Sequence, residues 1–327
     1  MDNNFSFRNK ISPILKEKNE QRKVADAVGL SLLALFGIMY GWSFIFFRIL
    51  KNFGIQHNTI IKITENPAIN DLIQIAVSSL MLIIPSFILL RATHNKARDV
   101  VMLGRPMFKN KTAFFVASLG FCMFSSIVSN YLTQIFSAFG INFPSMEREL
   151  PKGILGFLLV VLSTVIFPAL LEEFMMRGVV LGVLKKFGDS FAIIASSLVF
   201  SLMHASLAQF AFAFLVGLLL GYMTVKSKSI WPAVIIHAMN NFTSVAFSFI
   251  GEYCSTTLLN TMFLVFLLVV FTATGIALAK LSSDQEFLKI EKEETESTEK
   301  QKIKWFLTAP WMVFSFCVAL AIAIFLR

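Results

Sequence analysis

Apolar residues in this chain come in long runs broken by short polar stretches. The runs lie near residues 28–47, 72–90, 112–132, 153–184, 191–207, 210–225, 230–250, 258–281 and 305–326. A helix needs about 20 predominantly apolar residues to cross a bilayer, so the pattern predicts nine spans. The expected fold class is all-α, a polytopic bundle of about nine transmembrane helices. The first run is too long for a signal-peptide core, and no small-residue cleavage site follows it. It is expected to stay as a membrane helix. The fifth and sixth runs are almost contiguous, which implies a tight hairpin at one membrane face.

Composition sharpens this picture. The mean hydropathy is +0.72, and 56% of the 327 residues are hydrophobic against 15% charged, outside the range of ordinary soluble domains. The net charge of +9 would suggest a nucleic-acid partner if the basic residues were clustered. Instead they alternate loop by loop. With the amino terminus inside, 22 of the 29 Lys and Arg residues fall in inner segments and 6 in outer ones, as the positive-inside rule requires. The charge is therefore a topology signal, and no nucleic-acid partner is expected. The chain reads as an integral multi-pass protein with a cytoplasmic amino terminus, in the plasma membrane if bacterial.

Three regions are expected: 1–149 with a polar tail and three spans, 150–250 as the core of the site, and 251–327 with two spans joined by the charged linker 282–304. That linker reads as a solvated helical extension or a flexible connection, and residues 134–152 as an interfacial segment. The small-residue pairs Gly37/Gly41, Gly178/Gly182 and Gly217/Gly221 predict close helix packing. Cys122, Cys254 and Cys317 lie far apart and read as packing residues.

Against this apolar background a few side chains stand out. Of 20 acidic residues only Glu172 and Glu173, and of 29 basic ones only Arg177, sit deep in the spans. A charge near the centre of a membrane helix costs roughly 2.5–3.5 kcal/mol even on insertion scales. His204 and His237 join them, whereas His57 and His94 fall in loops. Glu172 is 13 residues from Lys185, His204 is 15 from Asp189, and Asn241 is 13 from Lys228. At 1.5 Å per residue all three lie about 20 Å above the inner boundary, with His237 about 6 Å lower. A polar cavity between the fourth, fifth and seventh helices follows. Adjacent helical residues point about 100° apart, so Glu172 and Glu173 cannot share one small cavity. Glu173 precedes Arg177 by four residues, the favourable order for an ion pair on one helix face. Glu172 is left free to meet His204.

A carboxylate and a histidine can activate water, while amide and imidazole donors stabilise an oxyanion. The same groups suit a proton relay. There is no H-E-x-x-H zincin motif. The sequence Glu172-Glu173-x-x-x-Arg177, then Phe200-x-x-x-His204, then His237-x-x-x-Asn241 resembles the three motifs of the CPBP (CAAX protease and bacteriocin-processing, or ABI) intramembrane endopeptidases, relatives of the type II CAAX-prenyl endopeptidases. The resemblance extends to Gly178 and to Trp231-Pro232, and covers roughly residues 150–250. It implies that Glu172 and His204 activate a water and that His237 and Asn241 bind the oxyanion, with Glu173, Arg177 and Phe200 supporting the site. The substrate implied is a membrane-associated peptide or protein, in peptide maturation or self-immunity as well as lipidated-tail processing. Glu172, His204 and His237 number enough to ligate a catalytic zinc, but Asn241 suits a hydrogen-bond donor better, and no metal or other cofactor is expected to be required. A proton-coupled transporter and a non-catalytic immunity or scaffold protein are the alternatives. The absence of an inverted repeat disfavours the former.

Overall fold

The computed structural model describes residues 12–55, 59, 65–107, 110–141, 151, 153–284, 289–290 and 295–325. Its elements are α1 (Pro13–Asn52), α2 (Pro67–Ala92), α3 (Lys111–Ala138), α4 (Gly153–Phe187), α5 (Asp189–Met203), α6 (Leu207–Ser227), α7 (Trp231–Gly251), α8 (Thr256–Ser282), α9 (Glu299–Leu307) and α10 (Pro310–Phe325), with a single turn at Ala97–Val100. Among the described residues there is no strand. The protein is an all-helical polytopic membrane bundle. Among the described residues seven helices are long and apolar enough to span, or eight if α9 and α10, which meet at 67°, form one crossing.

Two of the nine expected spans therefore differ. α5 has 15 residues, about 22 Å at 1.5 Å per residue, short of the ~30 Å hydrocarbon core. It still forms the expected hairpin with α6, through a turn in which Ala205 takes φ +45. Because both helices begin and end at the same face, the shorter α5 does not change the side of any later loop. The ninth span is broken ahead of Pro310, whose ring belongs in a first helical turn rather than an interior.

Two large apolar clusters build the bundle, with a small third of Val160, Val165 and Val245 between the first half of α4 and α7. Of the large two, one joins α1, α2, the second half of α4, α5 and the end of the chain. The other joins α3, α6, α7 and α8. Polar contacts tie the first half of α1 to the chain's end. Gln21 donates to the Lys302 carbonyl at 2.8 Å, Ser297 Oγ to Glu17 Oε1 at 2.7 Å, and Trp311 N–H to Asp26 Oδ1 at 2.9 Å. That last carboxylate supplies an acceptor at the start of α10, where backbone N–H groups lack helical partners. The described end of the charged linker is thus docked, contrary to a purely solvated extension; residues 285–288 and 291–294 lie outside the described residues.

The glycine pairs behave differently from one another. A Cβ at Gly217 would stand 2.9 Å from the Ser197 side chain, and one at Gly221 3.2 Å from Ile193, which is the close α5–α6 packing expected. Gly178 and Gly182 instead admit the turn at Ala97–Val100 and Val101; a Cβ at Gly182 would sit 2.6 Å from the Val100 carbonyl oxygen. A Cβ at Gly37 or Gly41 would meet nothing within 4 Å among the described residues, so the close packing expected of this pair is not seen there. Most of the expected interfacial segment after α3, residues 142–150 and 152, and His57 lie outside the described residues, while His94 sits in a turn at φ +55.

Candidate active site

The site is organised by α4, which is not a uniform helix. Two π-helical stretches, Val161–Ile166 and Phe174–Val180, flank the α-helical segment Phe167–Glu173. Such widened turns are rare and concentrate at functional sites. Here they place the two glutamates at the end of a regular segment, with Arg177 in the widened turn beyond.

The glutamates part company as the sequence implies. Glu173 is fully buried, and its Oε1 accepts from Arg177 Nη1 at 2.8 Å. Arg177 is 1% exposed. A second guanidinium nitrogen lies 3.4 Å from the Gly217 carbonyl, and Cζ stands 4.3 Å from the Phe200 ring centroid. Ion pair, carbonyl and aromatic face together compensate a charge that would otherwise be stranded in an apolar interior.

The same Glu173 Oε1 also takes a hydrogen bond from His237 Nδ1 at 2.8 Å, a contact that sequence reasoning missed. It fixes the imidazole so that Nε2 faces Glu172 Oε2 at 3.9 Å. The partner brought up to Glu172 is therefore His237, where His204 was expected. His204 lines the same cavity, but its Nδ1 lies 2.8 Å from the Phe200 carbonyl. A carbonyl only accepts, so Nδ1 carries a proton, and in the corresponding neutral tautomer Nε2 is the acceptor. Phe200 packs edge-on to both histidines, with centroids 5.0 Å from His204 and 6.0 Å from His237.

Glu172, Phe200, His204, His237 and Asn241 all line a polar cavity of about 550 Å³ between α3, α4, α5, α6 and α7. Glu173 and Arg177 lie behind its wall. Asn241 donates through Nδ2 to the Thr164 carbonyl at 3.1 Å, in the first π stretch, and its Oδ1 accepts from Asn240 at 3.3 Å. One Nδ2 hydrogen of Asn241 is thereby committed and the other is left for a ligand.

Three contributors were not anticipated. Asn240 braces Asn241, and the Asn-Asn doublet was a visible signal. Asp71, fully buried near the start of α2, accepts from Ser163 Oγ at 2.6 Å and so pins the π stretch that carries Thr164. The α3 wall, with Ser126, Ser129, Asn130 and Thr133, shows in the sequence as a polar stripe at helical spacing in an apolar run. Among the described residues, no three His, Cys, Asp or Glu side chains converge at metal-binding spacing. As they stand, Glu172, His204 and His237 are not drawn together at the spacing a zinc ion needs.

No match was found among curated proteins or among solved structures. Residues 154–243 match the family described as Rce1-like, type II CAAX prenyl endopeptidase Rce1-like. The matched segment runs from the start of α4 into α7 and carries Glu172, Glu173, Arg177, His204, His237 and Asn241, while Asp71 lies outside it. Over this segment, about a quarter of the chain, the protein is similar to the CPBP/CAAX protease family, and the similarity supports a membrane protease.

Proposed function

We propose that the protein is an intramembrane endopeptidase that hydrolyses a peptide bond in a membrane-associated peptide or protein, with Glu172 as the water-activating base. The observation that carries this reading is the division of the two glutamates. One is consumed by Arg177 and His237 in a dry interior, while its neighbour opens onto a polar cavity beside two histidines.

A water held between Glu172 and His204 Nε2 gives its proton to Glu172 as its oxygen adds to the scissile carbonyl. The free Nδ2 hydrogen of Asn241 and the Nε2 hydrogen of His237, with both ring nitrogens protonated, meet the developing oxyanion. Collapse expels the amine, which takes the proton back from Glu172. Donors aimed at the oxyanion act strongly here because the cavity is walled by low-dielectric protein. The step needs no resident metal, and the Asn241 amide is better suited to hydrogen bonding than to zinc.

The test is cleavage of a quenched peptide by purified protein in detergent, with a chelator present. Wild type should cleave, and Glu172→Gln should lose roughly 10²–10⁴-fold in kcat, the usual span of a general base. One zinc per chain, lost with activity and restored by readdition, would overturn the metal-free chemistry. An active Glu172→Gln would overturn the assignment of the base.

A further inference from the structure

We infer that substrate enters the cavity from the non-cytoplasmic side, through a mouth framed by Asn130 of α3 and Gln209 of α6. The inference rests on the peptidase reading for what enters, and on geometry alone for where.

The loops rich in Lys and Arg lie together at one end of the bundle. Met107 N–H donates to the Ser227 carbonyl at 3.0 Å, Ile230 N–H to the Met102 carbonyl at 2.9 Å, and Ser229 Oγ to the Gly104 carbonyl at 2.7 Å. These bonds lock the loop holding Arg105 onto the turn holding Lys228. The turn at Ala97–Val100, with Arg98, packs on Gly182, just ahead of Lys185 and Lys186. By the positive-inside rule this end faces the cytoplasm.

The cavity opens at the other end. Asn130 is 19 residues beyond Lys111 on α3, Gln209 is 18 from Ser227 on α6, and Ser244 is 16 from Lys228 on α7. At 1.5 Å per residue, three independent helices put these lining residues about 24–28 Å from the basic end, close to the far boundary of a ~30 Å hydrocarbon core. Asn130 and Gln209 are both exposed and both line the cavity. They flank the bond from Ser129 Oγ to the Ala208 carbonyl, 2.7 Å, that holds α3 against α6. Two open amides beside that bond offer donors and acceptors matched to a peptide main chain. Ser126, one turn deeper, and Thr133, one turn farther out, spend their hydroxyl protons on the Cys122 and Ser129 carbonyls, so their oxygens present acceptors to incoming N–H groups. Glu172 is the one Asp, Glu, Lys or Arg among the described lining residues, which suits an uncharged, extended segment.

The experiment uses the full chain in intact cells, with Cys254 and Cys317 changed to serine and the buried Cys122 retained. Asn130→Cys and Gln209→Cys should react with a membrane-impermeant thiol reagent added outside, whereas Arg105→Cys, an exposed position at the basic end, should react after permeabilisation only. Labelling Asn130→Cys or Gln209→Cys should also block peptide cleavage in the purified protein. Asn130→Leu and Gln209→Leu should each raise KM about 3- to 10-fold, the scale of one lost hydrogen bond, with kcat within twofold and an unchanged melting temperature. Reaction of the mouth cysteines from the same side as Arg105→Cys, or wild-type KM in both leucine variants, overturns the inference. The labelling is read without catalysis, so a protein that labels as expected but cleaves no peptide refutes the peptidase reading instead.

Discussion

Two faces of α4, one residue apart, live in different solvents. On the face of Glu173 the contacts converge on one carboxylate oxygen: Oε1 meets Arg177 and His237, and the guanidinium meets Phe200 and the Gly217 carbonyl. On the face of Glu172 the nearest charged-group partner is His237 Nε2 at 3.9 Å, and the side chain keeps 16% of its surface open. Burial thus separates two identical side chains. The closed carboxylate holds Arg177 and His237, the other opens onto the cavity, and His237 stands near both.

The comparison can be broken first by exchanging which glutamate is lost. Removing one partner of a buried ion pair typically costs about 3–5 kcal/mol because the other charge is stranded. Glu173→Gln and Arg177→Ala should therefore lower thermal stability in detergent by that order, and Glu173→Gln should also lose turnover, since His237 is released from its bond at Nδ1. Glu172→Gln should be inactive at wild-type stability. Differential scanning of the three purified variants beside their kcat values reads both axes. A stable Glu173→Gln beside an unstable Glu172→Gln would invert the two faces.

The wet face can then be sharpened at its edge. Loss of one oxyanion donor typically costs about 10²–10³ in kcat, so Asn241→Ala should fall by that factor with KM little changed. A raised KM at unaltered kcat would move Asn241 from the oxyanion to the substrate.

Much of this was legible in the sequence, for a reason specific to membranes. In an apolar run each ionisable side chain opposes insertion, so Glu172, Glu173, Arg177, His204 and His237 announced themselves, and the i, i+4 spacing of Glu173 and Arg177 gave their pairing. What failed to show depended on backbone or on depth. Asp71 stands four residues after Pro67, where a carboxylate reads as interfacial, yet α2 carries it to a fully buried position against Ser163. The Thr164 carbonyl that holds Asn241 has no side-chain signature. The π stretches leave hydrophobic periodicity almost intact. The bend between α9 and α10 was hidden because a break of two residues hardly interrupts an apolar run. The choice of His237 as the neighbour of Glu172 follows from a second hydrogen bond on Glu173, and residue spacing does not encode how many bonds an acceptor takes.

The smallest test lies where the two faces share a wall. Phe200 turns its ring face to the Arg177 guanidinium on the dry side and meets His204 and His237 edge-on toward the cavity. Phe200→Leu roughly conserves volume while removing the quadrupole, so it probes the aromatic contacts with little change in packing. A desolvated cation–π contact is worth about 2 kcal/mol and an exposed one about 0.5–1. With Arg177 still paired to Glu173, the stability loss should be about 1–2 kcal/mol, below that of either ion-pair variant. Because the Phe200 carbonyl, and not its ring, holds His204 Nδ1, the bond that sets the His204 tautomer survives the substitution. Turnover should accordingly fall by a few-fold, far less than in Glu172→Gln. A collapse of activity at near-normal stability would mean that the ring, rather than the backbone and Glu173, sets the orientation of the two histidines.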